Sequence, residues 1–214
     1  SARIVEKEEL TDSGKDYFKR IQNAANRMQK LIQDLLSFSR VTTGERNFER
    51  VRLADIIEDV VKEYSERLQE KNGTVEMRSL GEAYVIAFQF RQLMANLIDN
   101  SIKFSQPDVP LHVTIASNIE KGAEIIARNH LYRVMPEKSY CHLTVADNGI
   151  GFEPQFNERI FEVFQRLHGN DRYTGTGIGL SIVKKIVENH NGVITAHGEL
   201  NAGARFDIYL PNEK

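Results

Sequence analysis

The 214 residues predict one long amphipathic helix followed by an α/β domain, in which a mixed, mostly antiparallel sheet carries helices on one face. Three observations lead to this prediction. Apolar residues recur at alternating gaps of three and four before residue 42, and strand-like and helix-like segments then mix without regular alternation. The hydrophobic content of 41% is enough for a buried core.

The first helix is expected over residues 15–41, where it would be roughly 40 Å long. Its apolar stripe consists of Phe18, Ile21, Ala25, Met28, Ile32 and Leu35, widened by Ala24, Leu31 and Phe38. Because this stripe is wider than a two-stranded seam, it favours a four-helix bundle built by self-association. The alternative is a long helix that lies on its own domain. Residues 3–10 are expected to be the end of another helix, and residues 11–14 a turn.

The elements of the second region follow from their periodicity. Helices are predicted over 53–68, 90–104 and 178–189, and strands over 74–79, 83–87, 111–117, 123–129, 140–147, 193–197 and 205–210. Asn72-Gly73 and Asn191-Gly192 are typical helix ends, and Pro211 ends the last strand. No internal repeat is apparent.

Composition narrows the possible partners and the compartment. With 28 basic and 30 acidic residues the formal charge is -2, so we expect no nucleic-acid partner and no membrane contact. Cys141 is the single cysteine, which fits a reducing compartment. No apolar run approaches the roughly 18 residues needed to cross a bilayer. We therefore expect a cytoplasmic protein, or the cytoplasmic part of a larger one.

A glycine-rich segment, YTGTGIGLSIVKK at residues 173–185, leads into a predicted helix. Gly175, Gly177 and Gly179 allow backbone N–H groups to approach an anion, and the helix start adds its positive end, so phosphate is the expected ligand. The spacing excludes the dinucleotide-binding and P-loop patterns, and the protein-kinase motifs are absent. The alternative is a glycine-rich helix start without a ligand.

In the segment YCHLTVADNGIGF, the predicted strand ends at an acidic residue, Asp147. Alternation places Asp147 on the same apolar face as Cys141, Leu143 and Val145. A buried carboxylate needs a donor, and a nucleobase amino group would serve, with Gly149 and the following glycine allowing close approach of a flat ring. Asp-Asn-Gly is also a common turn, which is the alternative interpretation.

The segment LMANLIDNSIKF predicts a polar line along a helix. Asn96, Asn100 and Lys103 occupy positions i, i+4 and i+7 beside an apolar face. Amide oxygens and an ammonium group on one line suit a magnesium-bound polyphosphate, because Mg²⁺ prefers oxygen ligands. A surface helix can also carry such a line by chance.

Taken together, the segments NLIDNSIKF, DNGIGF, RIFEVFQRL, GTGIGL and GARFDIYLP resemble the ordered N, G1, F, G2 and final boxes of sensor histidine kinases. That superfamily also contains type II topoisomerases, heat-shock chaperones and mismatch-repair ATPases. The resemblance covers residues 44–214 as the catalytic ATP-binding domain. Residues 1–43 resemble part of the dimerisation and phosphoacceptor hairpin, without its acceptor histidine.

The resemblance implies a two-layer α/β sandwich that binds ATP and Mg²⁺. Asp147 would accept from the adenine amino group, Asn100 would hold the metal with Asn96 nearby, and Lys103 would meet the phosphates. The implied nucleotide-binding set is Asn96, Asn100, Lys103, Asp147, Gly149, Gly151, Phe161, Phe164, Gly175, Thr176, Gly177, Gly179 and Leu180. The implied catalytic set is Asn96, Lys103 and Arg166.

The resemblance also implies a mobile lid over residues 153–174, with the three glycines of the G2 box as its phosphate-side hinge. Phe161 and Phe164 would anchor this lid to the core. Arg166 stands where such kinases often place a phosphate-contacting arginine, and the alternative is a solvated surface charge. The last box departs from the usual glycine-threonine pattern, which leaves Arg205 without an assigned role.

Three functions follow from the resemblance. Hydrolysing members of the superfamily usually have a glutamate where this chain has Asn96, and an amide cannot act as general base. A histidine kinase is therefore preferred over an ATPase clamp, and a non-catalytic nucleotide-binding scaffold is the other alternative. No histidine precedes residue 112, so the acceptor is expected outside this chain. The implied partners are a second copy, through the N-terminal helices, and the receiver domain of a response regulator.

Overall fold

A computed structural model describes residues 12–43, 47–129, 131, 133–165 and 176–213. The helices are α1 Asp12–Thr43, α2 Leu53–Glu63, α3 Ser65–Gln69, α4 Ala87–Lys103, α5 Gly122–Asn129 and α6 Gly179–Asn189. The strands are β1 Glu49–Arg52, β2 Thr74–Arg78, β3 Glu82–Val85, β4 His112–Lys121, β5 Ser139–Asp147, β6 Val193–Glu199 and β7 Gly203–Pro211. Short 3₁₀ turns cover Pro154–Phe156 and Arg159–Phe161.

Helix α1 confirms the predicted long helix and leaves most of its apolar stripe in solvent. Phe18, Ile21, Met28, Ile32 and Leu35 are each more than half exposed. The C-terminal part of α1 packs on the domain, where Leu31 and Phe38 are partly buried against the core and Val41 is buried. The helix therefore does not lie along its own domain. None of the helices in the described ranges, α1 included, combines the length and apolar character needed to cross a bilayer.

The main sheet has five strands in the order β2-β4-β5-β7-β6. Strand β2 runs parallel to β4, and the other three pairs are antiparallel. In the central pair, Leu143 of β5 faces Ile208 of β7, and Val145 faces Phe206. These side chains all lie on the buried face of the sheet. The mixed, mostly antiparallel sheet of the sequence-based prediction is confirmed.

Helices α2, α4 and α6 cover that face and complete the second layer. The core contributed by α4 consists of Phe90, Leu93, Met94, Leu97, Ile98 and Ile102, all almost fully buried. Helix α6 adds Ile182, Val183, Ile186 and Val187 in the same cluster. The apolar periodicity of α4 thus fixes which of its sides faces the sheet, and so where its polar residues lie.

The strand predicted over residues 123–129 is wrong, because this segment forms α5. Periodicity cannot distinguish a strand from a helix in so short an apolar run. Here Ile125 packs with Val134, Tyr140 and Tyr209 in a small cluster apart from the main core. Because Tyr140 and Cys141 point to opposite faces of β5, α5 lies on the back of the sheet.

Two smaller differences concern the region before α4. The helix predicted over 53–68 is divided at Tyr64 into α2 and α3. Strand β1, which pairs with β3 in a separate two-stranded sheet, was not predicted. Its sequence Glu-Arg-Val-Arg contains a single apolar residue, too few to show a period. The turn predicted over residues 11–14 is wrong, because Asp12, Ser13 and Gly14 are the first residues of α1. Residues 3–10, for which a helix end was predicted, lie outside the described residues.

Candidate functional site

Helix α4 brings the candidate residues together. Near its C-terminal end, the Ser101 hydroxyl donates to Oδ2 of Asp147 at 3.0 Å. Five residues earlier, Asn96 faces the start of α6, where a β-carbon added at Gly179 would lie 3.2 Å from Asn96 Oδ1. The Asp147 carboxylate and the glycine-rich start of α6 therefore both lie beside α4, the helix that carries the amide line. These three features are far apart in the sequence.

The Asp147 carboxylate is held by three donors at the end of β5. Oδ1 accepts from the backbone N–H groups of Gly149 at 2.9 Å and Ala204 at 3.4 Å, and Oδ2 accepts from Ser101. Burial raises the pKa of Asp147, and these hydrogen bonds oppose that rise. The acid lies on the helix-covered face, as the alternation predicted.

The loop after Asp147 is fixed against α4 by its backbone. Ile150 N donates to the Phe104 carbonyl at 2.8 Å, and Gln106 Nε2 donates to the carbonyl oxygens of Asn148 and Gly149. A β-carbon at Gly149 would lie 2.5 Å from that same Phe104 oxygen, so only glycine fits this approach. Packing against α4 therefore requires glycine at position 149, and the approach of a flat ring to Gly149 stays a prediction.

The polar line on α4 is also in place. Asn96 donates from Nδ2 to the Gln92 carbonyl at 2.8 Å, and Lys103 Nζ lies 4.4 Å from the centre of the Phe104 ring. Asn100 differs, because its Nδ2 is buried with no hydrogen-bond partner among the described residues. An unpaired buried amide is costly, so Asn100 is suited to an additional ligand.

This arrangement fits a magnesium-bound phosphate. A phosphate oxygen would accept from Asn100 Nδ2, while Oδ1 of the same amide is the kind of ligand that Mg²⁺ prefers. Within the part of the chain that the structure describes, no three His, Cys, Asp or Glu side chains group to hold a metal ion. The oxygens around the metal would then come mainly from the phosphates and water.

The lid residues give a mixed result. Phe161 is buried and packs edge-to-face on Phe206, with ring centres 6.5 Å apart, as expected of an anchor to the core. The expectation that Phe164 is a second anchor is wrong, because its side chain is 60% exposed. Its backbone has a φ of 65°, and its N–H donates to the Gly177 carbonyl at 3.0 Å. Phe164 thus contacts Gly177 through its backbone.

The described part of the glycine-rich segment contacts α1. Thr176 Oγ1 donates to Oδ2 of Asp34 at 2.5 Å and accepts from Ile178 N at 3.4 Å. Gly177 has a φ of 75°, and Leu180 packs against the core. Arg166 and Gly175 lie outside the described residues. The proposed roles of Arg166 and Gly175 stay predictions.

Several residues around the site were missed by sequence reasoning. Ser101 and Gln106 were given no role, yet both hold the Asp147 region. Gly203, which was also given no role, has a φ of 107°, and a β-carbon there would meet the Asp147 carbonyl at 1.8 Å. Gly151, already in the implied binding set, has a φ of 61°. The one available signal was Ser101, a polar residue on the apolar side of α4, one turn after Leu97.

Arg205 and Cys141 lie away from this site. Arg205 pairs with Asp207, at 2.7 Å between Nη2 and Oδ1, on the back of the sheet. Burial raises the pKa of the Cys141 thiol to about 12, so it is not a nucleophile at neutral pH.

Family models match both parts of the chain. Residues 86–214 match the histidine kinase-, DNA gyrase B- and HSP90-like ATPase family. Residues 1–44 match the His Kinase A phospho-acceptor domain.

Curated relatives are similar over most of this chain. Cyanobacterial phytochrome A of Nostoc sp. is 36% identical over 184 residues, which cover 86% of this chain and 22% of that protein. The phytochrome-like protein Cph1 of Synechocystis sp. is 32% identical over 204 residues, which cover 95% of this chain and 25% of the relative. The chain thus spans about a quarter of the length of these proteins.

Solved structures share the fold. Full-length ShkA, crystallised with AMPPNP, superposes with a TM-score of 0.68 at 24% identity, over 95% of this chain and 40% of that one. Histidine kinase ThkA, in complex with the response regulator protein TrrA, gives a TM-score of 0.66 at 19% identity, over 96% of this chain and 53% of that one. At these identities the likeness shows the fold alone.

Proposed function

The chain belongs to the family of histidine kinase-, DNA gyrase B- and HSP90-like ATPases, as the ATP-binding catalytic part of a sensor histidine kinase, and we propose that it transfers the γ-phosphoryl group of ATP to a histidine. The observation that carries this proposal is the position of α4. This helix lies beside the buried acid of β5 and beside the glycine-rich start of α6. Adenine and triphosphate would then lie at the two ends of one site.

Each group along α4 has a distinct part in the proposed site. Asp147 accepts from the adenine amino group, and Gly149 and Gly151 let the ring approach. Asn100 would hold Mg²⁺, which would neutralise charge on the phosphates when it is bound. Lys103 attracts the phosphate oxygens as a point charge. Gly177 and Gly179 offer backbone N–H groups to the phosphates at the start of α6.

The proposed reaction is transfer and not hydrolysis. A ring nitrogen of the acceptor histidine forms the new bond to the γ-phosphorus, the bond to the bridging oxygen breaks, and ADP leaves with that electron pair. Catalysis of this kind comes mainly from positioning and charge neutralisation. Asn96 cannot take a proton from water, so the described site offers no base at the position where hydrolysing relatives usually have glutamate.

The acceptor histidine lies outside the matched phospho-acceptor segment, since residues 1–44 contain no histidine. We propose that the exposed stripe of α1 pairs with a second copy and that a response regulator receiver domain takes the phosphoryl group onward. We also propose that residues 1–43 form part of the dimerisation and phosphoacceptor hairpin and that residues 44–214 form the catalytic ATP-binding domain.

Calorimetry tests the nucleotide site. We expect ATP with Mg²⁺ to bind the native protein and to bind Asp147→Ala about 10- to 100-fold more weakly, because a hydrogen bond to a charged group is lost. Asp59→Ala, which removes an exposed acid from α2, is the control for the change of charge. Equal affinities for native protein and Asp147→Ala would remove this acid from the adenine pocket.

Labelled ATP separates the three candidate functions. With a separately supplied histidine-bearing helix of the H-E-L-R-x-P-L type, the kinase should produce acid-labile, base-stable phosphate on that helix and none on itself. Steady release of phosphate without an acceptor would instead identify an ATPase clamp. Binding of ATP with no transfer to the supplied helix would identify a nucleotide-binding scaffold.

A further inference from the structure

Ser101 is a buried polar residue on the side of α4 that faces the sheet. It is 2% exposed and lies among Leu97, Ile98 and Ile102, which are core residues. A serine in such a position needs a hydrogen-bond partner, because an unpaired hydroxyl in an apolar environment is costly. Ser101 has two acceptors within reach, and they imply different roles.

The first acceptor is the Leu97 carbonyl at 3.2 Å, one turn earlier on the same helix. This contact is the common local bond of a helical serine and would give Ser101 a structural role only. The second acceptor is Asp147 Oδ2 at 3.0 Å, on β5. A hydroxyl has one proton, and a bond to an ionised acceptor is the stronger of the two. The Ser101 hydroxyl therefore donates its hydrogen bond mainly to Asp147.

The donors around Asp147 leave one position for a ligand. A carboxylate oxygen has two lone pairs, and both of those on Oδ1 face backbone donors, Gly149 N and Ala204 N. On Oδ2 one lone pair faces Ser101, so one acceptor position remains. Burial favours the protonated acid, and the Ser101 hydroxyl opposes this by lowering the pKa of Asp147.

We propose that Ser101 is a positioning residue for recognition of the base: its hydroxyl fixes Oδ2 of Asp147 so that the remaining lone pair meets the exocyclic amino group of adenine. This inference rests on the proposed function, because it assigns a second residue to the adenine end of that site. Ser101 acts on the ligand only through Asp147. Its loss should therefore affect nucleotides that carry the amino group and spare those that lack it.

The test compares two ligands on Ser101→Ala. ATP is measured against purine riboside triphosphate, which has hydrogen in place of the amino group and is otherwise the same. We expect Ser101→Ala to bind ATP about tenfold more weakly, the loss of one charge-assisted hydrogen bond, and purine riboside triphosphate within about twofold of the native protein. Equal weakening of both ligands would show a structural role and overturn the inference, as would unchanged ATP affinity.

Ser105→Ala is the matched control. Ser105 is also buried, four residues further along the chain, and its hydroxyl has no hydrogen-bond partner within the described residues. The same substitution there should leave the ratio of the two affinities unchanged. Thermal unfolding of both variants identifies any general loss of structure.

A double substitution keeps the inference testable if Ser101→Ala loosens the fold. In an Asp147→Ala background, Ser101→Ala should have no further effect on ATP affinity, because the carboxylate it positions is gone. A further loss in that background would overturn the inference. Equal ATP affinities of the native protein and of Asp147→Ala would instead overturn the role of Asp147 in the proposed function.

Discussion

At the scale of single residues, His142 forms the centre of a buried ion cluster on the back of the sheet. Its Nδ1 lies 2.8 Å from Oε1 of Glu120, and its Nε2 lies 2.7 Å from Oδ1 of Asp207. Since each nitrogen faces a carboxylate, the arrangement favours the doubly protonated imidazolium. Arg128 from α5 pairs with Glu120, and Arg205 pairs with Asp207.

The cluster predicts a pH dependence of stability. Burial would lower the pKa of His142, but hydrogen bonds to Asp207 and Glu120 outweigh it and raise the pKa above 6.5. A raised folded-state pKa stabilises the protein below the unfolded value, and this contribution disappears as pH rises through the folded value. Burial likewise would raise the pKa of Asp207, but bonds from His142 and Arg205 hold it at about 2.

Replacement of His142 by glutamine tests this dependence. The variant should lose about 2 to 4 kcal/mol of unfolding free energy at pH 6, because two buried carboxylates lose their shared cation. Urea unfolding at several pH values should show the difference from native protein shrinking as pH rises. The exposed His197→Gln is the control, and a difference that stays constant with pH would contradict the imidazolium assignment.

At the scale of secondary-structure elements, α1 presents an apolar stripe that this chain alone does not cover. Five of its large side chains are 57–67% exposed: Phe18, Ile21, Met28, Ile32 and Leu35. Exposed apolar surface at heptad spacing is typical of a helix that packs on another helix. The heptad pattern alone was sufficient to predict this.

A lysine within the stripe should dissociate the expected dimer. Ile21→Lys and Ile32→Lys would each bury an unpaired charge in both copies, so we expect the dissociation constant to rise on the order of 100-fold or more. Sedimentation equilibrium measures this change. Ile21→Lys should leave ATP affinity the same, because Ile21 is 13 residues before Asp34, the α1 residue that contacts Thr176.

Asn23→Lys adds the same charge to the opposite, exposed side of α1 and should leave the association unchanged. Native protein that remains monomeric at high concentration would contradict the predicted use of the stripe.

Helix α5 shows where element prediction failed. Ala-Glu-Ile-Ile-Ala alternates too briefly to select a strand or a helix. The outcome depends on Tyr140 and Tyr209, which offer an apolar surface on the back of the sheet, and on Arg128, which reaches Glu120. These partners come from β4, β5 and β7, so local propensity did not contain the answer.

At the scale of the whole molecule, the end of α1 is joined to the catalytic domain by polar contacts. The Val41 carbonyl is among the last four of the helix, which have no partner within it. Asn189 of α6 donates to this oxygen at 2.7 Å and to Gln89 Oε1 at 3.2 Å. Asp34 of α1 also contacts Thr176, which lies just before α6. Helix α1 therefore contacts both ends of the segment 176–189, which contains α6.

Loss of the Asn189 amide should weaken this junction. Asn189→Ala would leave the buried Val41 carbonyl without its closest donor, and we expect a loss of about 1 to 3 kcal/mol in unfolding free energy. Chemical denaturation measures it, with Gln69→Ala, an exposed amide at the end of α3, as the control. An unchanged midpoint would show that the Asn189 amide does not stabilise this junction.

The sequence by itself determined the features that depend on local periods. The alternation of β5 placed Asp147 on the covered face, the helical repeat aligned Asn96 with Asn100, and the heptads of α1 marked its stripe. Only the tertiary structure decided which polar atoms meet: Ser101 and Asp147 are 46 residues apart, and Val41 and Asn189 are 148 apart. The backbone conformation of Phe164, which turns its side chain outward, is also set by the contact with Gly177. Such contacts form when packing brings distant segments of the chain together, so local sequence periodicity cannot predict them.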